Sequence, residues 1–202
     1  MEQRYAECHA AGGMTSYNWS EDPKRLVFQY ARYLFVAKAL EGRRRVLEVG
    51  CADGQGARIV RQHVGDLLGI DVDPLAIEEA KRLSSTKWPV RFLHRDIMRG
   101  PLPGYDAVYA LDLFEHVADE NRLLTNLHGC APVCIIGTPS LESQAYASAI
   151  SKREHVNCVT KAGLRIAMLR HWSQVFVFGM NDETLHTGHD AMTHYLLAVA
   201  VA

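Results

Sequence analysis

The stretch VLEVGCADGQG, residues 46–56, decides how this chain folds. An apolar run rich in valine carries one acid, Glu48, and then breaks into glycines at 50, 54 and 56. Strand, glycine turn and helix, in that order, bring backbone against a charged or polar ligand. The details of the turn discriminate among ligands. A phosphate-binding loop needs G-x-x-x-x-G-K-[ST], and the run from Gly50 to Gly56 holds no Lys, Ser or Thr. The dinucleotide fingerprint G-x-G-x-x-G fails as well, because Ala52 stands at its second glycine. Glu48 and Asp53 also place negative charge where a pyrophosphate would lie. A ligand bearing a sulfonium and an ammonium suits those acids better.

Outward from this turn, strands and helices alternate. RVLEVG (45–50), LLGID (67–71), VRFLHRD (90–96), YDAVYALD (105–112) and PVCIIGT (132–138) read as strands. The spacing predicts helices over 55–63, 74–85, 119–129 and 160–172. Strands this apolar, set between helices, form a parallel sheet covered on both faces. QVFVFGM (174–180) and HYLLAVAVA (194–202) have no helix between them, so they are expected to pair antiparallel. Upstream, Leu26, Val27, Tyr30, Leu34, Val36, Ala37 and Leu40 recur at helical steps between Asp22-Pro23 and Gly42. Residues 1–20 read as a loosely ordered arm. The expectation is one α/β domain over 1–202, with the arm and helix of 1–42 covering a core of 43–202.

Two further acids end strands. Asp71 lies 21 residues past Gly50 (71 − 50), where a carboxylate accepts hydrogen bonds from a ribose diol. Asp96 ends the next strand, where an acid receives the adenine amino group. A single strand-end Asp is ordinarily a cap or turn former. Acids at 48, 71 and 96, on three consecutive strands beside that turn, point to one nucleoside site.

Together VLEVGCADGQG, GIDVDPLAIEEAK, RDIM and YDAVYALDLFEHV resemble the class I S-adenosylmethionine-dependent methyltransferases, in particular small members of the type 11 and type 23 groups. The resemblance covers about residues 44–200 and includes EHVNCVTKAGLRIAML. It implies a Rossmann-like open sheet of seven strands, mostly parallel with the last strand antiparallel, helices on both faces, and S-adenosyl-L-methionine as cofactor. By that resemblance Glu48 and Gly50 hold the methionine end, at the turn formed with Cys51, Ala52 and Gly54. Asp71 takes the ribose, Val72 packs on the adenine, and Asp96 and Ile97 lie at its edge. Leu111 and Asp112 close the site around the methionine moiety. Ala52 departs from the family, which usually has glycine there.

The acceptor pocket is expected at the carboxyl ends of the strands, built from the segments 1–22, 139–159 and 181–193. These supply Tyr17, Trp19, Tyr146, Asn157, His186 and His189 as candidate substrate contacts, with Asp182, Glu183 and Asp190 nearby. Tyr17 and Trp19 suit a lid over the cofactor and, equally, a staple of the arm onto the first helix. An alcohol acceptor must lose a proton, and a histidine suits that task. His155, in a polar loop, is the first candidate base and His116 the second. The plainer reading of His116 is a cap on the turn that follows the fourth strand. His186-x-x-His189 with Asp190 and His194 has metal-ligating residue types, but hairpin histidines are more often solvated, so no metal is expected.

Bulk composition narrows the function. With 22 Lys and Arg against 23 Asp and Glu, no basic field invites nucleic acid or an anionic membrane. ALDLFEH stands where nucleic-acid and protein methyltransferases of this kind carry N/D-P-P-[YF]. The cysteines at 8, 51, 130, 134 and 158 form no C-x-x-C pair and read as reduced thiols. MEQRYAECHA has no apolar signal segment, and the run YLLAVAVA (195–202) is far below the roughly 20 residues of a membrane helix. A soluble, cytoplasmic protein with a small-molecule acceptor is therefore expected. The leading reading is O-methylation of a sugar, glycan or natural-product hydroxyl. N-methylation of a small amine and a non-catalytic S-adenosylmethionine-binding partner subunit are the alternatives, while the broken glycine pattern speaks against a dehydrogenase.

Overall fold

The computed structural model describes residues 11–188 and 190–202. Two helices, α1 (Gly13–Glu21) and α2 (Lys24–Ala39), precede the sheet. Then follow β1 (Arg45–Val49), α3 (Ala57–Arg61), β2 (Asp66–Asp71), α4 (Pro74–Arg82), β3 (Arg91–His94), β4 (Ala107–Leu111) and α5 (Glu120–Cys130). The remainder is β5 (Val133–Pro139), α6 (Ala149–Glu154), α7 (Lys161–Met168), β6 (Gln174–Asn181), β7 (Thr184–His186) and β8 (Tyr195–Val201).

All strands join one sheet in the order β3-β2-β1-β4-β5-β8-β6-β7. Strands β1 to β5 pair in parallel. Strand β8 inserts antiparallel between β5 and β6, so β6 runs with the parallel set, as the missing helix between the two segments required. The strands are apolar almost throughout because both faces are covered. On one face Leu123, Leu127, Leu164 and Trp172 pack over Leu47, Val108 and Ile136. On the other, Tyr33, Val36, Leu40 and Val60 pack over Val46, Leu67 and Ile135.

Three expectations need correction. The first concerns the arm, where Gly13–Glu21 is helical. Its first turn is capped by acids from the core: the Thr15 N–H donates to Asp53 Oδ2 at 3.4 Å and the Gly13 N–H to Glu79 Oε1 at 3.1 Å. Gly12 makes this approach possible, since a Cβ there would overlap the Asp53 carboxyl. Local pattern contains no trace of a cap supplied from 38 residues away. Second, the sheet has eight strands, because three residues inside the final connection, Thr184–His186, pair with β6. Third, the helices expected over 55–63 and 160–172 shrink to α3 and α7. After Met168 the chain turns, with the His171 and Trp172 N–H groups both on the Met168 carbonyl. That turn places Trp172 in the core. Among the described residues no helix is long and apolar enough to cross a membrane.

Candidate active site

Strand order reverses between β1 and β4, and a ligand crevice opens at the carboxyl ends of strands at such a point. The turn after β1 runs through Gly50 at φ +81° and Ala52 at φ +45°. The N–H groups at its start are engaged within the protein. Those of Gly50 and Cys51 both donate to the Ile70 carbonyl, at 2.8 and 3.1 Å. That of Ala52 donates to Asp71 Oδ2 at 2.9 Å. The turn therefore offers no nest of N–H groups to a phosphate. Left-handed backbone costs a residue with a Cβ about 1–2 kcal/mol, and the Asp71 bond helps to hold Ala52 there. The other Asp71 oxygen accepts the Asp73 N–H at 2.9 Å. Each carboxylate oxygen keeps a further lone pair, so the group is oriented and still able to accept a diol.

A cleft of about 400 Å³ lies against this turn. Gly50, Ala52, Leu111 and Asp112 form its floor. Met14 and Asn18 of α1, with Arg25, Phe28 and Arg32 of α2, form its wall. Asp112 adopts φ +52° at the end of β4. Arg32 Nη1 donates to both Asp112 oxygens, at 3.0 and 2.9 Å. The same guanidinium stacks on Tyr195 at 3.7 Å from the ring centroid. The sequence analysis missed Arg32; its only signal is a charge beside Tyr33, within the stripe that α2 turns to the core.

Glu48 lies beneath the turn at 1% exposure and accepts the Tyr33 hydroxyl at 3.0 Å. Among the described residues, neither its second oxygen nor the Tyr109 hydroxyl beside it makes a well-aligned hydrogen bond. Burial pushes the Glu48 carboxyl up to about 8, against the pull of the Tyr33 hydroxyl. The folded protein thus holds a proton that the unfolded chain releases near 4.5. Stability from this group is complete below the unfolded value and is lost as pH rises through about 8. Glu48→Gln, neutral at every pH, is expected to flatten that decline and to exceed the parent in urea midpoint above about pH 8. Parallel midpoint-versus-pH curves for the two proteins would refute the proton assignment.

Other residues of the expected cofactor set stand around this cleft in different ways. Cys51 is buried against Gly69, and Gly54 backs onto Phe92, whose ring a Cβ would overlap. Both shape the turn from behind. Asp53, expected to face a cation, instead caps α1, and burial raises its carboxyl. Asp96 accepts the Met98 N–H at 2.8 Å and faces Arg99 at 3.7 Å. Val72 is exposed beyond β2, and Ile97 is buried.

A second cleft, of about 480 Å³, is walled by Pro139, Gln144, Tyr146, His155 and His194. Beside it the short 3-10 turn Phe114–His116 meets His155. The two imidazoles stand edge to face with centroids 5.1 Å apart. His116 Nδ1 lies 3.2 Å from the Glu154 carbonyl, and His155 Nδ1 lies 3.1 Å from Gln144 Oε1. Glu115 is buried, its Oε2 accepting the Thr138 hydroxyl at 2.9 Å and its Oε1 lying 4.0 Å from His116 Nε2. Burial, then the charge of Asp112, pushes Glu115 up to about 8. Burial, then His116, pushes His155 down. Asp112 lines the first cleft and acts electrostatically on Glu115 and His155, so this cluster stands between the two clefts.

The structure brings His116, His155 and Tyr146 to one region and adds Glu115 and Gln144, which the sequence analysis did not single out. It separates the others. Asn157 serves the backbone: its amide donates to the Phe114 carbonyl at 3.4 Å and its N–H to the Glu115 carbonyl at 3.0 Å. Tyr17 and Trp19, at 55% and 66% exposure, ride the outer flanks of α1 while Met14 and Asn18 face the cleft. His186 folds over Gly179 across the β6–β7 hairpin. His189 lies outside the described residues. Asp190 pairs with Lys161 at 2.9 Å, and Asp182 lies 3.9 Å from His194.

Residues 46–131 match a model of the methyltransferase domain family. An uncharacterized methyltransferase of Mycobacterium tuberculosis is 32% identical over 110 residues, covering 50% of this chain and 55% of that protein. A ubiquinone biosynthesis O-methyltransferase of Alkalilimnicola ehrlichii is 34% identical over 104 residues, 48% of this chain and 40% of that one. The matched region thus spans about half the length, or less, of these curated relatives. A solved S-adenosylmethionine-dependent methyltransferase of Thermotoga maritima, described as a possible histamine N-methyltransferase, superposes at TM-score 0.71 with 14% identity over 94% of this chain and 95% of that one. The shared architecture is the Rossmann-like methyltransferase fold.

Proposed function

We propose that this chain, whose residues 46–131 belong to the methyltransferase domain family, moves a methyl group from S-adenosyl-L-methionine to a hydroxyl of a small molecule. One observation carries the cofactor half of that reading. The turn after β1 has the N–H groups of Gly50, Cys51, Ala52 and Gly54 engaged internally while Asp71, fixed by two of the chain's N–H bonds, keeps acceptor capacity on both oxygens. That arrangement suits a ribose diol joined to a cation and is unsuited to phosphate. Gly50 would serve the methionine end, with the buried Glu48 supporting the turn from beneath, and Leu111 and Asp112 would close over it. Arg25 and Arg32 offer partners for its carboxylate. Val72, Asp96 and Ile97 would flank the adenine. The cofactor supplies an electrophilic methyl on a sulfonium.

The acceptor would lie in the cleft of Gln144, Tyr146 and His155, with its hydroxyl at the His116–His155 pair. Methyl transfer is an in-line displacement, so alignment and exclusion of water supply most of the acceleration. The histidines would take charge of the hydroxyl proton. Both Nδ1 atoms face oxygen acceptors and therefore carry hydrogen, which leaves each Nε2 lone pair available. A hydroxyl acceptor is also consistent with the O-methyltransferase relative; the cleft is lined mostly by apolar surface, which suits a natural product, or a sugar or glycan attached to an apolar group. The cytoplasm, where free thiols such as Cys51 and Cys134 persist, is the matching compartment. A screen for S-adenosylhomocysteine formation over sugars, phenols and amines tests the reading. Turnover on hydroxyl compounds is expected. Turnover on amines alone would move the acceptor to nitrogen, and tight binding without turnover would leave a cofactor-binding subunit.

A further inference from the structure

We infer that Glu115, His116 and His155 hold one divalent transition-metal cation at the seam between the two clefts. One donor atom from each of the three lies within 4.8 Å of the others. Around a first-row cation, with bonds of about 2.0–2.2 Å, donor atoms stand roughly 3–4 Å apart. Bringing the set to coordination distance would need the donor atoms to approach one another by about 1 Å.

The surroundings are those of a built site. Metal-binding histidines characteristically donate the other ring N–H to a carbonyl or carboxylate, which fixes tautomer and orientation. Here His116 has the Glu154 carbonyl at Nδ1, and His155 has Gln144 Oε1. Glu115 shows the same division, with Oε2 accepting the Thr138 hydroxyl and Oε1 turned toward His116 Nε2. Glu115 and His116 are thus each tied by one atom and turn the other toward its neighbour, and the Gln144 contact at Nδ1 would leave Nε2 as the donor of His155. The backbone is tied too, since the Val156 and Asn157 N–H groups both donate to the Glu115 carbonyl, at 2.8 and 3.0 Å. These bonds clamp the loop bearing His155 onto the turn bearing His116. Two imidazoles and one carboxylate favour Mn²⁺, Fe²⁺ or Zn²⁺ over Mg²⁺ and Ca²⁺, which prefer all-oxygen sets.

The use of this site in turnover rests on the transferase reading; its existence does not. Three protein donors leave positions open for the acceptor's oxygen. With the cation bound, the His116 and His155 lone pairs would serve as ligands and no longer as bases; the acceptor's hydroxyl would lose its proton to solvent, and its oxygen would attack the sulfonium methyl. The O–C bond forms as the C–S bond breaks, and the C–S electron pair stays on sulfur. The products are a methyl ether, S-adenosylhomocysteine and a proton.

Untagged full-length protein, titrated with MnCl₂ and followed by electron paramagnetic resonance, tests the site. S-adenosylhomocysteine binding is measured on the same samples by calorimetry. One bound Mn²⁺ per chain is expected, resistant to an equal concentration of Mg²⁺. His116→Ala and His155→Ala should each weaken it by about tenfold or more, with the nucleoside still bound. Both histidines are partly exposed, so these variants avoid the folding risk of Glu115→Gln. Absence of Mn²⁺ binding in protein that binds the nucleoside would overturn the inference, as would binding that survives both histidine substitutions. Protein that binds Mn²⁺ through these residues but not the nucleoside would uphold the cation site and sink the transferase reading.

Discussion

His155→Gln is expected to slow turnover by roughly 10²–10⁴-fold while leaving S-adenosylhomocysteine affinity little changed. Glutamine preserves bulk and some hydrogen bonding, yet it has no lone pair of imidazole basicity at neutral pH. That lone pair acts on the acceptor's hydroxyl as the transition state is approached, directly or through the cation, so its loss appears in kcat. His155 stands on the wall of the acceptor cleft and not in the cofactor cleft, which is why binding of the nucleoside should be spared. His116→Gln should fall in the same direction, since the rings touch edge to face at 5.1 Å. Steady-state rates on the identified acceptor, with calorimetry alongside, decide the matter. Near-normal turnover in both variants would place proton removal elsewhere. Loss of the nucleoside in both would make the pair structural.

Asp71→Ala should weaken S-adenosylhomocysteine binding by about 1.5–3 kcal/mol, a loss of roughly ten- to hundredfold. Two effects act together. The variant removes the acceptor of the ribose diol. It also removes the partner of the Ala52 N–H, at 2.9 Å, that holds a left-handed alanine in the cofactor cleft. Asp71→Asn, which retains an acceptor oxygen for one of these bonds, should lie between the two. Unchanged affinity of Asp71→Ala in calorimetry would remove Asp71 from the ribose site.

Much of this architecture was legible because the physics behind it is local. Valine-rich and isoleucine-rich runs ending in glycine or aspartate have one stable use, as buried parallel strands between helices, and β1 to β5 follow that pattern. Helical periodicity located α2, and the absence of a helix between the last two long segments required an antiparallel pair. Strand β7 was invisible because three residues carry too little alternation to register as a strand. Helix α1 was invisible for another reason. Its moment is weak, and its stability comes from Asp53 and Glu79, carboxylates with no sequence proximity to it.

The candidate site divides along the same line. By itself the sequence determined the glycine turn, the strand-end acids and the histidines at 116 and 155, because each is a residue type at a position that the strand pattern already placed. Only the tertiary structure decided which of these meet. It put His116 and His155 edge to face, joined Glu115 to them, and took Asn157 and His186 away on backbone and hairpin contacts. It also turned Arg32 from a helix residue into the partner of Asp112, 80 positions along the chain. The physical reason is that a side chain's role depends on the free lone pairs and charges around it. Those neighbours arrive from distant strand ends, over separations where local propensity carries no information.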